Sequence, residues 1–91
     1  MTTLLFQPGH IVSTPGAIEL MTLNGVQPID LLKRHLAGDW GDLCPSDKAE
    51  NDLSVREGFR ILSSYNINGS KVWVITEHER SATTFLLPSE Y

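Results

Sequence analysis

The chain has a single cysteine, Cys44, among its 91 residues. No intrachain disulfide can form, and a reducing compartment is the natural setting. No apolar run approaches the ~20 residues that a membrane-spanning helix requires. Met1 to Phe6 carries no basic side chain, and its apolar stretch is too short for a signal peptide. A cytoplasmic location is therefore expected, with no membrane partner. Basic residues are also scarce. Seven Lys and Arg stand against eleven Asp and Glu, and only Lys33 and Arg34 are adjacent. Binding nucleic acid through its phosphates needs a concentrated basic face, so that class is disfavoured. The cluster Asp39, Asp42, Asp47, Glu50 and Asp52 is a mild acidic bias, too thin for a DNA mimic.

Motifs that hold cofactors are missing too. There is no Walker, GxSxG or dinucleotide-binding pattern, so no cofactor is expected. His10, His35 and His78 lie far apart, and Glu77-His78-Glu79-Arg80 has the wrong order for an HExxH helix. No metal site is expected either, since such sites take three or four ligands with pairs close in sequence.

What remains has the size of one domain spanning residues 1–91. Its apolar fraction of 41% is enough to build a core. Leu4 to Val12 reads as a short extended arm broken by Pro8-Gly9. Ser13-Thr14-Pro15 is a helix start, with a hydroxyl cap and then a proline whose missing N–H costs nothing there. Ala17, Ile18, Leu20, Met21 and Leu23 offer an apolar face, and Asn24-Gly25 ends the helix. Pro28 opens a second helix that buries Ile29, Leu31, Leu32, Leu36 and Ala37 and stops at Gly38. Lys33, Arg34 and His35 suit its negative C-terminal end. Asp39 to Asp42 forms a loop. Pro45-Ser46 begins a third helix, running to about Arg56 and ending at Gly58. With only Ala49, Leu53 and Val55 as apolar residues, it lies on the surface.

From Phe59 the pattern becomes strand-like. Phe59 to Ile67, Ser70 to Glu77 and Ala82 to Leu87 are three strands, and Asn68-Gly69 is a type I′ hairpin signal. That turn sets Tyr65 opposite Val72, Ser63 opposite Val74 and Ile61 opposite Thr76. On the other face Ser64 meets Trp73, Leu62 meets Ile75, and Arg60 meets Glu77 as a charge pair. A second turn around Glu79-Arg80 brings Val74 to Phe85 and Trp73 to Leu86. The fold expected is α+β: three short helices followed by a three-stranded antiparallel β-meander. Phe59, Ile61, Tyr65, Val72, Val74, Phe85 and Leu87 share the face that receives the helices.

Several segments resemble a family of short bacterial plasmid-related proteins carried on mobile elements. They are Val12-Ser13-Thr14-Pro15-Gly16-Ala17, Arg34 to Leu43, Asp47 to Asn51, Arg60 to Ser63, Val72 to Glu77 and Leu86 to Tyr91. The resemblance spans nearly the whole chain. It implies residence on a plasmid or mobile element and no particular activity. Some relatives are labelled as type I restriction modification subunits. A methyltransferase would need a Gly-rich cofactor loop on a larger sheet, and this chain has neither the loop nor the length.

Two sets of residues are candidates for function. The first is the sheet face with Leu62, Trp73, Ile75 and Leu86, which the helices cannot also cover. Left open, it would be a contact surface for a second copy of the chain or for a host or plasmid protein. The N-terminal arm, with Leu4, Leu5 and Phe6, is the internal alternative for covering it. Trp40, in a Gly-flanked loop, is a further candidate anchor, although the core is the preferred place for it in so small a domain. The second set is polar: His35, Asp39 and Glu77, a possible site for a small enzyme or nucleotide-binding module. The bland reading of His35 and Asp39 is helix-end complement and loop cap, and it is favoured because no nucleophile stands beside them. The function expected is that of a non-enzymatic accessory protein acting through protein–protein contact.

Overall fold

Prolines begin all three helices. In a computed structural model, which describes residues 4–91, α1 spans Pro15–Leu23, α2 Pro28–Leu36 and α3 Pro45–Glu57. Thr14 caps α1, its hydroxyl accepting from the Ala17 N–H at 3.2 Å. Gly58 closes α3 in the left-handed conformation that a helix C-terminus favours.

The strand register follows from the hairpin. Strand β2 (Ile61–Ile67) and strand β3 (Ser70–Thr76) pair antiparallel, with Tyr65 opposite Val72 and Leu62 opposite Ile75. Asn68 and Gly69 both have positive φ, 51° and 88°, as a type I′ turn demands. Asn66 Oδ1 accepts from the Gly69 N–H at 2.9 Å and holds the turn. Strand β4 (Ala82–Leu86) continues the antiparallel order, with Val74 opposite Phe85 and Trp73 opposite Leu86.

The meander is one part of a larger sheet. The second half of the N-terminal arm is a fourth strand, β1 (His10–Ser13), which lies parallel to β4. The sheet is therefore four-stranded and mixed, in the order β1-β4-β3-β2. Antiparallel neighbours announce themselves by a tight turn. A parallel neighbour arrives from far along the chain and leaves no local sign.

Helices α1 and α2 cover one face, here the inner face. Ala17 and Met21 of α1 and Leu31, Leu32 and Leu36 of α2 are buried there with Ile61, Tyr65, Val72, Val74 and Phe85. Each large apolar side chain so buried contributes about 1.5–3 kcal/mol. The helical stripes are narrower than expected. Ile18, Leu23, Ile29 and Ala37 are exposed. Phe59 is also exposed, because β2 starts only at Ile61 and Phe59 belongs to the turn after α3, its N–H bonded to Ser54 O. Helix α3 is mostly exposed and lies beside β2.

Replacing Gly69 with valine forces a β-branched residue to positive φ in open space, so the cost is conformational. Gly69→Val is expected to lower stability by about 1 kcal/mol or more. Urea denaturation checks this, and an unchanged midpoint would argue against the turn.

Candidate functional site

His35 does not sit at the helix surface. It is fully buried, one turn beyond Leu31 and Leu32 on the same stripe of α2. Its Nδ1 lies 2.6 Å from Ser63 Oγ and its Nε2 lies 2.9 Å from Thr76 Oγ1. Thr76 Oγ1 is 2.7 Å from Thr83 Oγ1, which donates to the Pro8 carbonyl at 2.8 Å. That carbonyl can only accept, and each hydroxyl has one proton to give. Thr83 therefore donates to Pro8, Thr76 to Thr83 and His35 Nε2–H to Thr76. Burial, reinforced by the positive charge of Arg80, pushes the imidazole pKa down to about 3, so the ring is neutral and its bare Nδ1 accepts from Ser63.

The other two members of the polar candidate set lie elsewhere. Asp39 is exposed, with Oδ2 2.7 Å from Arg34 Nε and Oδ1 accepting from the Gly41 N–H. The hydrogen bond from Arg34 holds its carboxyl below the usual aspartate value. The Arg34 guanidinium also lies over the Tyr65 ring, and the Tyr65 hydroxyl donates to the Asp39 carbonyl. Glu77 follows Ile75 in the strand alternation, which puts it on the side of the sheet away from His35. His35, Asp39 and Glu77 are thus not assembled into one site. Among the described residues, no three His, Cys, Asp or Glu side chains gather as metal ligands would.

Trp40 is a core residue, 3% exposed, its indole N–H donating to Asp52 Oδ1 at 3.0 Å. It packs near Phe6, whose ring also meets His35 edge-on at 5.2 Å. Phe6 therefore takes the arm onto the inner face, so the arm does not cover the opposite, outer one. There, Ile75 and Leu86 are already buried, and Leu62 and Trp73 are partly so. Tyr91 meets Trp73 edge-on at 5.7 Å, and its hydroxyl accepts from Arg60 at 2.6 Å. Arg60 has turned to Tyr91 and away from the expected pair with Glu77. Trp73, Tyr91 and Arg60 thus give this face a small aromatic cover of its own. The expectation of an open apolar face is corrected accordingly. Ser64, on the same face, keeps a buried hydroxyl with no partner among the described residues.

The two sheet edges differ sharply. On β2 the outward backbone groups belong to Leu62, Ser64 and Asn66. The Asn51 side chain of α3 takes both groups of Leu62, donating to its carbonyl at 2.7 Å and accepting from its N–H at 3.3 Å. Ser64 N–H donates to Trp40 O, and Ser64 O accepts from Asp42 N–H at 2.6 Å. Gly41 lies between them at φ 75°, and a Cβ there would run into the Ser64 carbonyl. That edge is sealed over Leu62 and Ser64, and only the Asn66 groups beside the hairpin turn lack a backbone partner among the described residues.

The β1 edge is open. His10 N–H bonds to Ser81 O and Thr14 N–H to Phe85 O, so the even positions point to β4. Ile11 and Ser13 consequently turn their N–H and C=O outward. Those groups have no backbone partner among the described residues. Ile11 and Val12 are each 47% exposed. Ile18 of α1, 44% exposed, belongs with them. Ala17 and Met21 face the sheet, and Leu20 shares a depression with Leu87 and Ser70 towards β3. At 100° per residue Ile18 is on the opposite flank, above β1. The sequence reading missed this edge. The available sign was Ile11-Val12, a β-branched pair directly before a capped helix.

Comparison with known protein families, characterised proteins and solved structures finds no match to this chain.

Two adjacent serines separate the two faces. Ser63→Ala strips the donor from His35 Nδ1 and is expected to cost about 1–3 kcal/mol, whereas Ser64→Ala removes an unpaired hydroxyl and should be neutral or slightly stabilising. Parallel urea curves for the two variants test this; equal losses would contradict the network. The imidazole also sets a pH dependence. Its folded pKa lies below the unfolded value near 6.5, so the stability is present above pH 6.5 and is lost as pH falls towards 3. Between pH 6.5 and 4.5 the loss from this imidazole should be roughly 2 kcal/mol. A flat denaturation midpoint over that interval would rule out a neutral, buried His35.

Proposed function

We propose that the chain is a non-enzymatic accessory protein of a plasmid or other mobile element, working by contact with protein. The observation that carries the reading is the open β1 edge with Ile11, Val12 and Ile18 half-exposed along it. An unpaired strand edge is a template for another strand, and proteins usually block it. Here the opposite edge is blocked at Leu62 and Ser64 by Asn51 and by Trp40 to Asp42, while this one is left free. Chemistry on the polar residues is the runner-up, as a small enzyme or nucleotide-binding module at His35, Asp39 and Glu77. The geometry disfavours it. A general base must reach its substrate, and both nitrogens of His35 are committed inside the core.

The resemblance in segments such as Arg34 to Leu43 supports an origin on a mobile element. Among the described residues no helix is long and apolar enough to cross a membrane. The lone, exposed Cys44 fits a reducing cytoplasm. The partner is a second copy or a host or plasmid protein, met at the β1 edge.

A photoreactive amino acid placed at Ile18 in expressing cells tests the contact reading, with the exposed Glu57 of α3 as control. Protein adducts are expected from position 18 and not from 57. Absence of any protein adduct at position 18, or turnover abolished by Asp39→Ala, would overturn it.

A further inference from the structure

We propose that the occupant of the β1 edge is a second copy of this chain, paired antiparallel about a two-fold axis through Val12. This rests on the contact reading and specifies its partner and geometry.

The backbone sets the register. Only Ile11 and Ser13 point their polar groups outward, two residues apart. In an antiparallel ladder, Ile11 of one copy faces Ser13 of the other, and the symmetry returns the same pair. All four outward groups of each copy are then used, in four hydrogen bonds. Val12 faces Val12 of the second copy at a non-hydrogen-bonded position, where Cα atoms approach to about 4.5 Å and β-branched pairs pack well. The neighbouring positions end the ladder. Gly9 has a left-handed φ of 67°, and Pro15 lacks an N–H. The pairing needs no residue beyond this segment, and it yields one eight-stranded sheet.

The side chains agree with an identical partner. None of Ile11, Val12 and Ser13 is ionisable, so two copies of this edge meet without facing like charges. Ile11 and Ile18 of both copies gather on the helix side, and the two Val12 side chains meet on the other. A strand of four residues with three half-exposed aliphatic groups falls short of the ~800 Å² per partner of a stable interface. Association is therefore weak and concentration-dependent. Each copy carries a net charge of −4, so added salt strengthens it by screening the repulsion.

Sedimentation velocity tests the pairing. The wild-type chain is expected to pass from monomer to dimer over roughly 10 μM to 1 mM, the range of a weak association. Val12 lies on the axis and meets itself, so Val12→Lys and Val12→Glu should each be monomeric. Their equimolar mixture should recover the dimer as a heterodimer. Circular dichroism of each variant guards against unfolding, which the half-exposed position of Val12 tolerates. A wild-type chain monomeric at 1 mM, or a Val12→Lys chain that still dimerises, overturns the proposal. Adducts at position 18 to a different protein, with a monomeric wild type, would overturn the second copy as partner and leave the contact reading standing.

Discussion

The hydrogen-bond chain from Ser63 through His35, Thr76 and Thr83 to the Pro8 carbonyl joins five separate parts of the molecule: β2, α2, β3, β4 and the arm. Each link has one workable direction, because each hydroxyl has one proton to give, the chain ends on a carbonyl and the buried imidazole is neutral. A buried polar network of this kind is nearly all-or-none. Fully satisfied it specifies one arrangement, and broken at one link it leaves a buried group unpaired. Sliding β3 against β2 by one residue would take Thr76 to the outer face and strand the imidazole. The apolar residues supply most of the stabilisation, but they would tolerate neighbouring arrangements that the network does not.

Around that centre the chain has little material left. Two helices cover the inner face. The third, poor in apolar residues, lies beside β2, where Asn51 replaces a neighbouring strand for Leu62. The outer face is left to Trp73, Tyr91 and Arg60. In a small domain, one helix cannot both seal an edge and cover a face. The acidic, thinly apolar composition of α3 suits the edge role, since it requires one amide and a solvated surface rather than a wide apolar stripe.

The parts of this arrangement legible in the sequence are those with local causes. Thr14-Pro15, Pro28 and Pro45 mark helix starts, and Asn68-Gly69 sets a register that holds from Ile67 to Ile61. Strand β1 was not legible as a strand. Its partner lies some seventy residues away, and no turn connects them. His35 was misplaced because Lys33-Arg34-His35 matches the charge pattern of an exposed helix end. Its spacing from Leu31 and Leu32 was the contrary sign, at i+4 and i+3 on the buried stripe. The cover on the outer face was invisible for a different reason. It depends on where the turn after β4 aims Tyr91, which no pattern in the last residues states. The exposed edge inherits the same difficulty, because an edge exists only once the sheet order is known.

The core network and the open edge meet at one residue. Pro8 ends the hydroxyl chain, and β1 begins two residues later with His10 bonded to Ser81. Phe6, packed against His35 and Trp40, fixes the arm from the other side. Gly9 must bridge these anchors in a left-handed turn, pressed against the Ser81 backbone where a Cβ has no room. The arm is thus held on both sides of Gly9, and that sets how far and at what angle β1 reaches β4. A parallel pairing of four residues is weak alone, and the seventy-residue separation adds a loop-closure cost. Phe6 and Pro8 hold the arm at the sheet through contacts of their own, so core burial offsets part of that cost. The exposed strand is therefore an extension of the core. A loss at Ser63 or His35 should be felt at Ile11 and Val12 through the backbone, although neither touches the network.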